Sequence, residues 1–247
     1  MPPFCLGGSM RIPISGRLLC CASLVEPGAR VVDVGCDHGY LGVYLLQEGI
    51  AAHVTAADLR PKPLARAREN AARFGTAGRM TFLACDGLSG VREGTADTVI
   101  CAGMGGETIA NILARCPWVF RENCRLILQP QASGSELRGW LGSNGFAIRE
   151  ERLVRDGRFL YNVLLVRHGG GVPVSPGGHY ASRALLTSGS PLLPEYLSRV
   201  ERALREAEAG LERARDGEEA GRLAYYRAAL REVTEMRRTY GDNRENP

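Results

Sequence analysis

One stretch near the start of the chain, residues 30–42, constrains the fold more than any other. It reads Arg-Val-Val-Asp-Val-Gly-Cys-Asp-His-Gly-Tyr-Leu-Gly. The valine-rich run 31–34 is typical of a buried parallel strand, and the apolar spacing that follows Tyr40 favours a helix. Between them, Gly35 and Gly39 allow the backbone to pass close beneath a ligand. The sequence therefore predicts a strand, a glycine turn and a helix, with a ligand site at the turn.

The spacing of the glycines indicates which ligand. A dinucleotide site uses G-x-G-x-x-G, whereas this chain has Asp33-x-Gly35-x-x-x-Gly39, with Asp37 and His38 inside the loop. A carboxylate in the loop repels a pyrophosphate and tolerates a cation. S-adenosylmethionine carries a sulfonium and an ammonium group and has no phosphate. The ordinary alternative is a tight turn with no ligand.

Acidic residues follow the next two predicted strands. The strand over 53–58 ends in Asp58, about 20 residues past the glycine loop, which is the distance at which a carboxylate reaches a bound ribose. A third strand over 80–84 is followed by Asp86, which is expected to accept a hydrogen bond from an adenine amino group. Because the carboxyl ends of parallel strands share one edge of a sheet, we expect both acids beside the glycine turn.

A second glycine-rich loop follows the fourth predicted strand, over 96–102. Its sequence, Gly-Met-Gly-Gly-Glu at 103–107, leaves little side-chain bulk. A flat substrate could therefore approach the methyl donor across the backbone and Met104. A plain flexible connector is the alternative, although a connector has no need of such dense glycine. The fifth strand ends in Gln129 and Pro130, at the same edge.

Two alternating runs, 146–154 and 159–166, flank a turn and predict an antiparallel hairpin after the alternating β and α units. This order matches a seven-stranded methyltransferase sheet better than a six-stranded dehydrogenase sheet. An amphipathic helix is expected over 13–24, with packing as its main role and Arg17 as a candidate RNA contact. The predicted fold is thus α/β, a Rossmann-like class I methyltransferase sheet.

The chain is expected to divide into four parts. Residues 1–10 are a candidate disordered extension, 11–168 the methyltransferase domain and 169–190 a Gly/Pro-rich linker. Residues 191–240 carry two helical apolar stripes separated by Asp216-Gly217, which predicts a coiled-coil-like α-helical hairpin. A set of arginines on its outer faces is either solvated or forms a basic wall: Arg199, Arg202, Arg205, Arg227, Arg231, Arg237 and Arg238.

Composition limits the remaining possibilities. The formal net charge is +4 and Lys62 is the only lysine, so the positive charge is nearly all arginine, which permits RNA binding or reflects a GC-rich genome. The eight cysteines form no C-x-x-C pair and no histidine cluster accompanies them, so no metal site is expected. With no apolar run of membrane length and no signal sequence, the expected location is the cytoplasm.

Four motifs together resemble one family, the bacterial tRNA adenine-N1 methyltransferases that act on adenine 22. They are Asp-Val-Gly-Cys-Asp-His-Gly-Tyr-Leu at 33–41, Cys-Asp-Gly-Leu at 85–88, Ala-Gly-Met-Gly-Gly at 102–106 and Leu-Ile-Leu-Gln-Pro at 126–130. The resemblance extends from Ile14 to about Tyr240.

The chain departs from the family pattern at three points: Ala57-Asp58 stands where the family often has Gly-Glu, Gly39 where Ala is common, and Gly42 where the family has a proline. Asp58 keeps the carboxylate, so the cofactor site is still expected.

The resemblance implies transfer of a methyl group from S-adenosylmethionine to N1 of an adenine in the tRNA core. N1 has a free lone pair, so positioning matters more than a strong base. Asp37 is the candidate to stabilise the cationic product or to receive the N6 proton, and His38 is the orienter or alternative base. The adenine is extruded from its stack and held against Met104 or Tyr40.

The expected site residues fall into three groups. Those expected to act in catalysis are Asp37, His38 and Met104. Those expected to bind the cofactor are Asp33, Gly35, Cys36, Gly39, Asp58, Leu59, Asp86, Gly87, Ala102 and Gly103. Those expected to bind substrate are Arg17, Tyr40, Gly105, Gly106, Gln129 and Pro130.

The expected partner is tRNA, with no membrane and no metal, and the expected state is a monomer or weak dimer. Two other readings stay open, a methyltransferase for another acceptor and a non-catalytic tRNA-binding protein.

Overall fold

A computed structural model describes residues 11–213 and 220–241 of the 247-residue chain. The expected extension at 1–10 and the expected Asp216-Gly217 turn lie outside the described residues. None of the helices in the described ranges is long and apolar enough to span a bilayer.

Seven strands form one mixed sheet. They are β1 (Ala29–Val34), β2 (Ala51–Asp58), β3 (Met80–Ala84), β4 (Thr98–Gly105), β5 (Arg125–Ala132), β6 (Phe146–Asp156) and β7 (Phe159–His168). The order is β3-β2-β1-β4-β5-β7-β6, with parallel pairing from β3 to β5 and antiparallel pairing of β7 with both neighbours. The predicted seven-stranded sheet is confirmed. Its strand order reverses between β1 and β4, which is where open α/β sheets bind ligands.

Eight α-helices accompany the sheet in the described ranges. They are α1 (Gly16–Ala22), α2 (Tyr40–Gln47), α3 (Pro61–Arg73), α4 (Gly106–Ala114), α5 (Gly134–Ser143), α6 (Arg183–Leu186), α7 (Leu193–Arg213) and α8 (Ala220–Met236). Helix α3 begins at a proline because the first helical position needs no N–H donor. Single 3₁₀ turns cover Ala77–Arg79 and Pro117–Phe120, and a π-helical turn, Arg237–Gly241, follows α8.

The strands are apolar on both faces because helices cover both faces. Val31 contributes to the core that includes α1, α2 and α3, while its neighbour Val32 contributes to the core that includes α4 and α5. This alternation follows from the two-residue period of a strand and accounts for the continuous valine run in β1.

A third apolar cluster joins the C-terminal helices to one another. Leu197 of α7 and Val233 of α8 are fully buried in it, together with Leu185 of α6. The segment 169–190 was expected to be a linker. It contains the short helix α6, and the Leu185 side chain of that helix is part of this cluster. The domain boundaries themselves stay a prediction.

Element ends differ from expectation where backbone geometry decides them. Strand β4 continues through Gly105 because it stays paired with β5 across a bulge, with Met104 opposite Pro130. Helix α1 is shorter than the expected 13–24, whereas β6 and β7 each extend two residues further than expected.

Candidate functional site

The first glycine loop has a left-handed backbone at three positions. Gly35, Asp37 and Gly39 have φ angles of 69°, 48° and 70°. Aspartate is one of the few residues that adopt this region without glycine's freedom. A Cβ on Gly39 would lie 2.8 Å from the Cβ of Ala67, so glycine here allows α3 to approach the loop. The loop is therefore fixed both by its own conformation and by a neighbouring helix.

Two buried carboxylates lie beneath the loop. Asp33 and Asp58 are 4% and 5% exposed. Asp58 accepts the backbone N–H of Asp37 at 3.3 Å and that of Arg60 at 2.8 Å, and the Arg60 Nε lies 3.5 Å from Asp58 Oδ1. Asp58 thereby ties the end of β2 to the loop that follows β1.

The protonation of Asp33 is shifted by its surroundings. Burial, and then repulsion from the nearby Asp58 carboxylate, raises the pKa of Asp33 from 3.8 to about 7. A cation placed beside Asp33 would relieve both effects. The electrostatics of this corner therefore favour a positively charged ligand.

A cavity of about 390 Å³ opens at this corner. It brings together many of the predicted residues, and its lining is Arg17, Leu18, Asp33, Gly35, Cys36, Asp37, His38, Tyr40, Leu41, Arg60, Ala102 and Gly103. We call it the cradle. Leu18, Leu41 and Arg60 were not singled out from the sequence. For Arg60 the available signal was its place two residues after Asp58.

One wall of the cradle is organised by Gln129. Its side chain is fully buried, and its Oε1 accepts hydrogen bonds from the Arg17 Nη1 at 3.0 Å and from the Gly103 N–H at 3.1 Å. Gly103 has a φ of 82°, and a Cβ there would lie 3.1 Å from the Arg17 Nη1. Gln129 thus supports the wall from behind and holds Arg17, which lines it.

Met104 lies against the glycine loop. A Cβ on Gly35 would come within 3.0 Å of the Met104 Cε, so the methionine side chain reaches across to the loop that follows β1. The two glycines where β4 meets α4 have separate surroundings. A Cβ on Gly105 would meet only the Thr108 Oγ1, at 3.8 Å, whereas a Cβ on Gly106 would lie 2.0 Å from the Ser133 carbonyl oxygen. A close backbone contact therefore requires glycine at position 106.

The Asp37 and His38 side chains stand at the mouth of the cradle. Asp37 Oδ2 lies 3.6 Å from His38 Nε2, and the Asp37 side chain is 61% exposed. The His38 and Tyr40 rings are 5.9 Å apart between centroids, and Asn70 donates to the His38 carbonyl at 2.9 Å. The two candidate catalytic groups are thus next to each other and open to a substrate.

Cys36 is not set up as a nucleophile. Burial raises the pKa of its thiol, and the nearby Asp33 carboxylate raises it further. The thiol therefore stays protonated at neutral pH and packs within the loop.

Several predicted residues do not line the cradle. Leu59 is 66% exposed, and Asp86 pairs with Arg115 at 2.8 Å between Oδ2 and Nη1. Gly87 is left-handed and packs against Ile112. Pro130 lines a neighbouring cavity. Their roles stay predictions. In residues 11–213 and 220–241, no three His, Cys, Asp or Glu side chains are grouped as a metal site.

The sheet order, the glycine loop and the paired acids define a class I methyltransferase architecture. Residues 14–164 match the family model described as "Methyltransferase domain", and the chain belongs to that family.

One relative is the Bacillus subtilis tRNA (adenine(22)-N(1))-methyltransferase. It is 30% identical over 158 residues, which are 64% of this chain and 66% of the relative. The aligned part is thus slightly under two thirds of that protein's length.

Two solved structures extend the likeness over most of the chain. A Streptococcus agalactiae protein of the NADB-Rossmann superfamily has a TM-score of 0.79 and 28% identity, with 92% of this chain and 98% of that chain covered. A Streptococcus pneumoniae protein in complex with S-adenosyl-L-methionine has a TM-score of 0.74 and 27% identity, with 89% and 97% covered.

Proposed function

We propose that this protein transfers a methyl group from S-adenosylmethionine to N1 of adenine 22 in tRNA. The observation that carries the proposal is the pair of buried acids, Asp33 and Asp58, beneath a left-handed glycine loop at the sheet's switch point. The family membership, the activity in the name of the B. subtilis relative, and the ligand of the S. pneumoniae neighbour support it.

The cradle fits this cofactor. Asp33 offers a carboxylate to a cationic group, and the glycines at 35 and 39 keep the loop free of side chains. Asp58 uses acceptor sites on both oxygens for N–H groups, and a carboxylate has about four such sites. Asp58 therefore retains the capacity to accept ribose hydroxyls. Asp86 likewise can accept an adenine amino group while Arg115 remains beside it.

The chemistry asks the protein mainly for positioning. When bound, S-adenosylmethionine supplies an electrophilic methyl group, which the N1 lone pair takes up as the carbon–sulfur bond breaks. The positive charge passes from sulfur to the adenine, and the Asp37 carboxylate is placed to stabilise it. His38 orients Asp37 or receives the N6 proton. Alignment of the reacting atoms can lower the barrier by several kcal/mol, up to roughly 7–11.

The acceptor base must leave its stack to reach the cradle. Extrusion costs a few kcal/mol, which stacking on an aromatic ring can offset. Tyr40 and the Met104 side chain flank the cradle and are the proposed supports. We further propose that the helices in 191–240 form a separate domain that contacts the tRNA backbone through arginines, and that the protein acts as a monomer or weak dimer.

Methyl incorporation tests the proposal directly. The assay uses labelled S-adenosylmethionine and unmodified tRNA transcripts with adenine or guanine at position 22, followed by nucleoside mapping. We expect label in N1-methyladenosine only with the adenine transcript. Label in another acceptor would reassign the substrate. If no label appears, a thermal shift with S-adenosylmethionine separates a different methyltransferase, which is stabilised, from a non-catalytic tRNA-binding protein, which is not.

A further inference from the structure

A second cavity, of about 280 Å³, adjoins the cradle. It is lined by residues from the end of β5, the first half of α5, the start of β7, and the chain before and within α7, among them Gln131, Arg138, Phe159, Tyr161, Tyr180 and Tyr196. We call it the aromatic cavity.

Only a thin layer of side chains separates the two cavities. A Cβ on Gly103, in the cradle, would lie 3.6 Å from the Nε2 of Gln131, in the aromatic cavity. The guanidinium carbon of Arg17 lies 6.0 Å from the centroid of the Tyr161 ring. The two cavities therefore share one wall.

The rim of the aromatic cavity exposes a ring to solvent. Phe159 is 50% exposed, and its ring centroid lies 6.1 Å from that of Tyr161. The Arg158 guanidinium carbon lies 5.0 Å from the Phe159 centroid. Exposed aromatic rings with a nearby arginine are the groups on which unpaired nucleobases stack.

Sheet topology explains why these rings stand beside the cradle. Strand β7 runs antiparallel to β5, with Leu164 opposite Leu128 and Val166 opposite Leu126. The first residues of β7 therefore lie at the carboxyl end of β5. That end is also the edge of the sheet where the cradle opens.

The floor of the aromatic cavity is rigid. Arg138 and Glu151 are 3% and 0% exposed and form an ion pair, and Arg138 Nη1 also donates to the Gly134 carbonyl at 3.0 Å. Glu151 Oε1 accepts Asn162 Nδ2 at 2.7 Å, and the Tyr196 hydroxyl donates to the Tyr180 carbonyl at 2.5 Å. Because the polar groups of the floor are bonded to one another, it can hold a flat ligand without rearranging.

We propose that the aromatic cavity binds the nucleobase next to the target adenine in the same RNA strand, stacked on Phe159 and Tyr161. Arg17, between the cavities, faces the phosphate that joins the two nucleotides. This inference rests on the proposed function, since it takes the cradle to hold the methyl donor and the target base. It adds a second base contact that fixes the register of the strand.

The test combines a protein change with an RNA change. Phe159→Ala removes the stacking ring, Phe159→Tyr keeps it, and Val172→Ala alters an exposed residue that lines neither cavity. The substrates are an intact transcript and transcripts with an abasic nucleotide immediately 5′ or 3′ of adenine 22. Base stacking on one ring changes affinity by roughly 5–150-fold.

We expect Phe159→Ala to raise KM for intact tRNA about tenfold and to leave kcat within about twofold, with Phe159→Tyr and Val172→Ala near wild type. One of the abasic transcripts should raise the wild-type KM by a similar factor. With that transcript, Phe159→Ala should raise KM no further, because the Phe159 ring and the missing base form one contact.

Two results would overturn the inference. If the effects of Phe159→Ala and of the abasic nucleotide on KM multiply, or if neither abasic transcript affects the wild-type protein, this cavity does not hold the adjacent base. A fall in kcat without any effect of abasic neighbours would assign the cavity to the target adenine itself. Filter binding of the same transcripts gives the same comparison of protein and RNA variants as ratios of Kd. This binding assay tests the cavity even if the wild-type protein methylates none of the transcripts. Absence of methylation would contradict the proposed function and not the binding of the adjacent base.

Discussion

At the scale of single residues, Asp33 shows how a site can oppose the stability of its own fold. Its folded-state pKa, about 7, lies above the ordinary value of 3.8. Between those values the folded protein binds more protons than the unfolded chain, so stability falls as pH rises through this window. The penalty is fully present above about pH 7. It leaves a carboxylate ready to pair with a cation.

Asp33→Asn should therefore change stability in a pH-dependent way. The gain relative to wild type should grow from near zero at about pH 4 to roughly 1–3 kcal/mol at about pH 8, because the amide carries no charge to bury. Urea unfolding at several pH values measures it. A difference between the two proteins that stays constant across this range would show that the Asp33 charge does not set the pH dependence.

The same carboxyl predicts how cofactor binding responds to pH. Below about pH 7 Asp33 is protonated in the free protein, so a cationic ligand must displace a proton. The Kd for S-adenosylmethionine should rise as pH falls, by up to about tenfold per unit. Calorimetry between about pH 8 and 5.5 measures this. Asp33→Asn should bind S-adenosylmethionine more weakly than wild type, and its Kd should not rise as pH falls. If the Kd of the variant changes with pH as steeply as that of wild type, another group causes the effect.

Asp37 is expected to act on turnover more than on cofactor binding. Its side chain is exposed, whereas its backbone N–H, which Asp58 holds at 3.3 Å, remains in any variant except proline. Asp37→Asn keeps a residue that tolerates the left-handed region and removes only the charge. We expect kcat to fall about 10- to 100-fold, with the Kd for S-adenosylmethionine within about threefold. Unchanged turnover would remove Asp37 from the mechanism.

At the scale of elements, Gly105 and Gly106, the two glycines where β4 meets α4, have distinct roles despite being adjacent. Gly106→Ala should destabilise the protein by about 2–4 kcal/mol, because its Cβ would meet the Ser133 carbonyl at 2.0 Å and force the start of α4 away from the residues before α5. Gly105 has a φ of −67°, and its Cβ would find only Thr108 Oγ1 at 3.8 Å. Gly105→Ala is thus the matched control, expected within about 0.5 kcal/mol. Equal urea midpoints for the two variants would contradict this assignment.

Most of the elements could be predicted from residue periodicity. The third strand has the expected bounds, Met80–Ala84, and helices follow the first, second, fourth and fifth strands as expected. The end of β4 could not be predicted, because glycine lowers strand propensity and only pairing with β5 carries the strand on to Gly105. Periodicity reports which face of a strand is buried, but not which neighbour extends it.

The candidate site was predictable where its residues lie at strand ends. The cradle gathers residues from the ends of β1 and β4, as the shared edge of a parallel sheet requires. The pairing of Asp86 with Arg115, 29 residues away, and the contact of Gly106 with Ser133 depend on how helices pack. The aromatic cavity needed the register of β7 against β5, so Phe159 had no local signal beyond its strand pattern.

At the scale of the whole molecule, the arginine count overstates the charge offered to RNA. Most of the arginines expected to form a basic wall are in ion pairs on the C-terminal helices: Arg199 with Glu195, Arg205 and Arg237 with Glu201, Arg227 with Glu208 and Glu212, and Arg238 with Glu235. Within the part of the chain that the structure describes, Arg202 and Arg231 have no such partner, and both are exposed. A phosphate must therefore compete with a carboxylate for the ion-paired arginines, but not for Arg202 and Arg231.

Two double variants with the same change in net charge separate these sets. Arg202→Ala with Arg231→Ala should weaken tRNA binding and lower the slope of log Kd against log salt by about 2, since each phosphate contact contributes nearly one. Arg199→Ala with Arg227→Ala removes as much charge from the same helices but frees carboxylates that had been paired. We expect it to change the slope by less than about half as much.

Filter binding across a salt series measures the slopes of both double variants, and thermal melts check that α7 and α8 stay folded. Because both variants lose two positive charges, equal slopes would mean that tRNA senses only the net charge of the hairpin, whereas a larger change in the second variant would place the phosphate contacts at the ion-paired arginines.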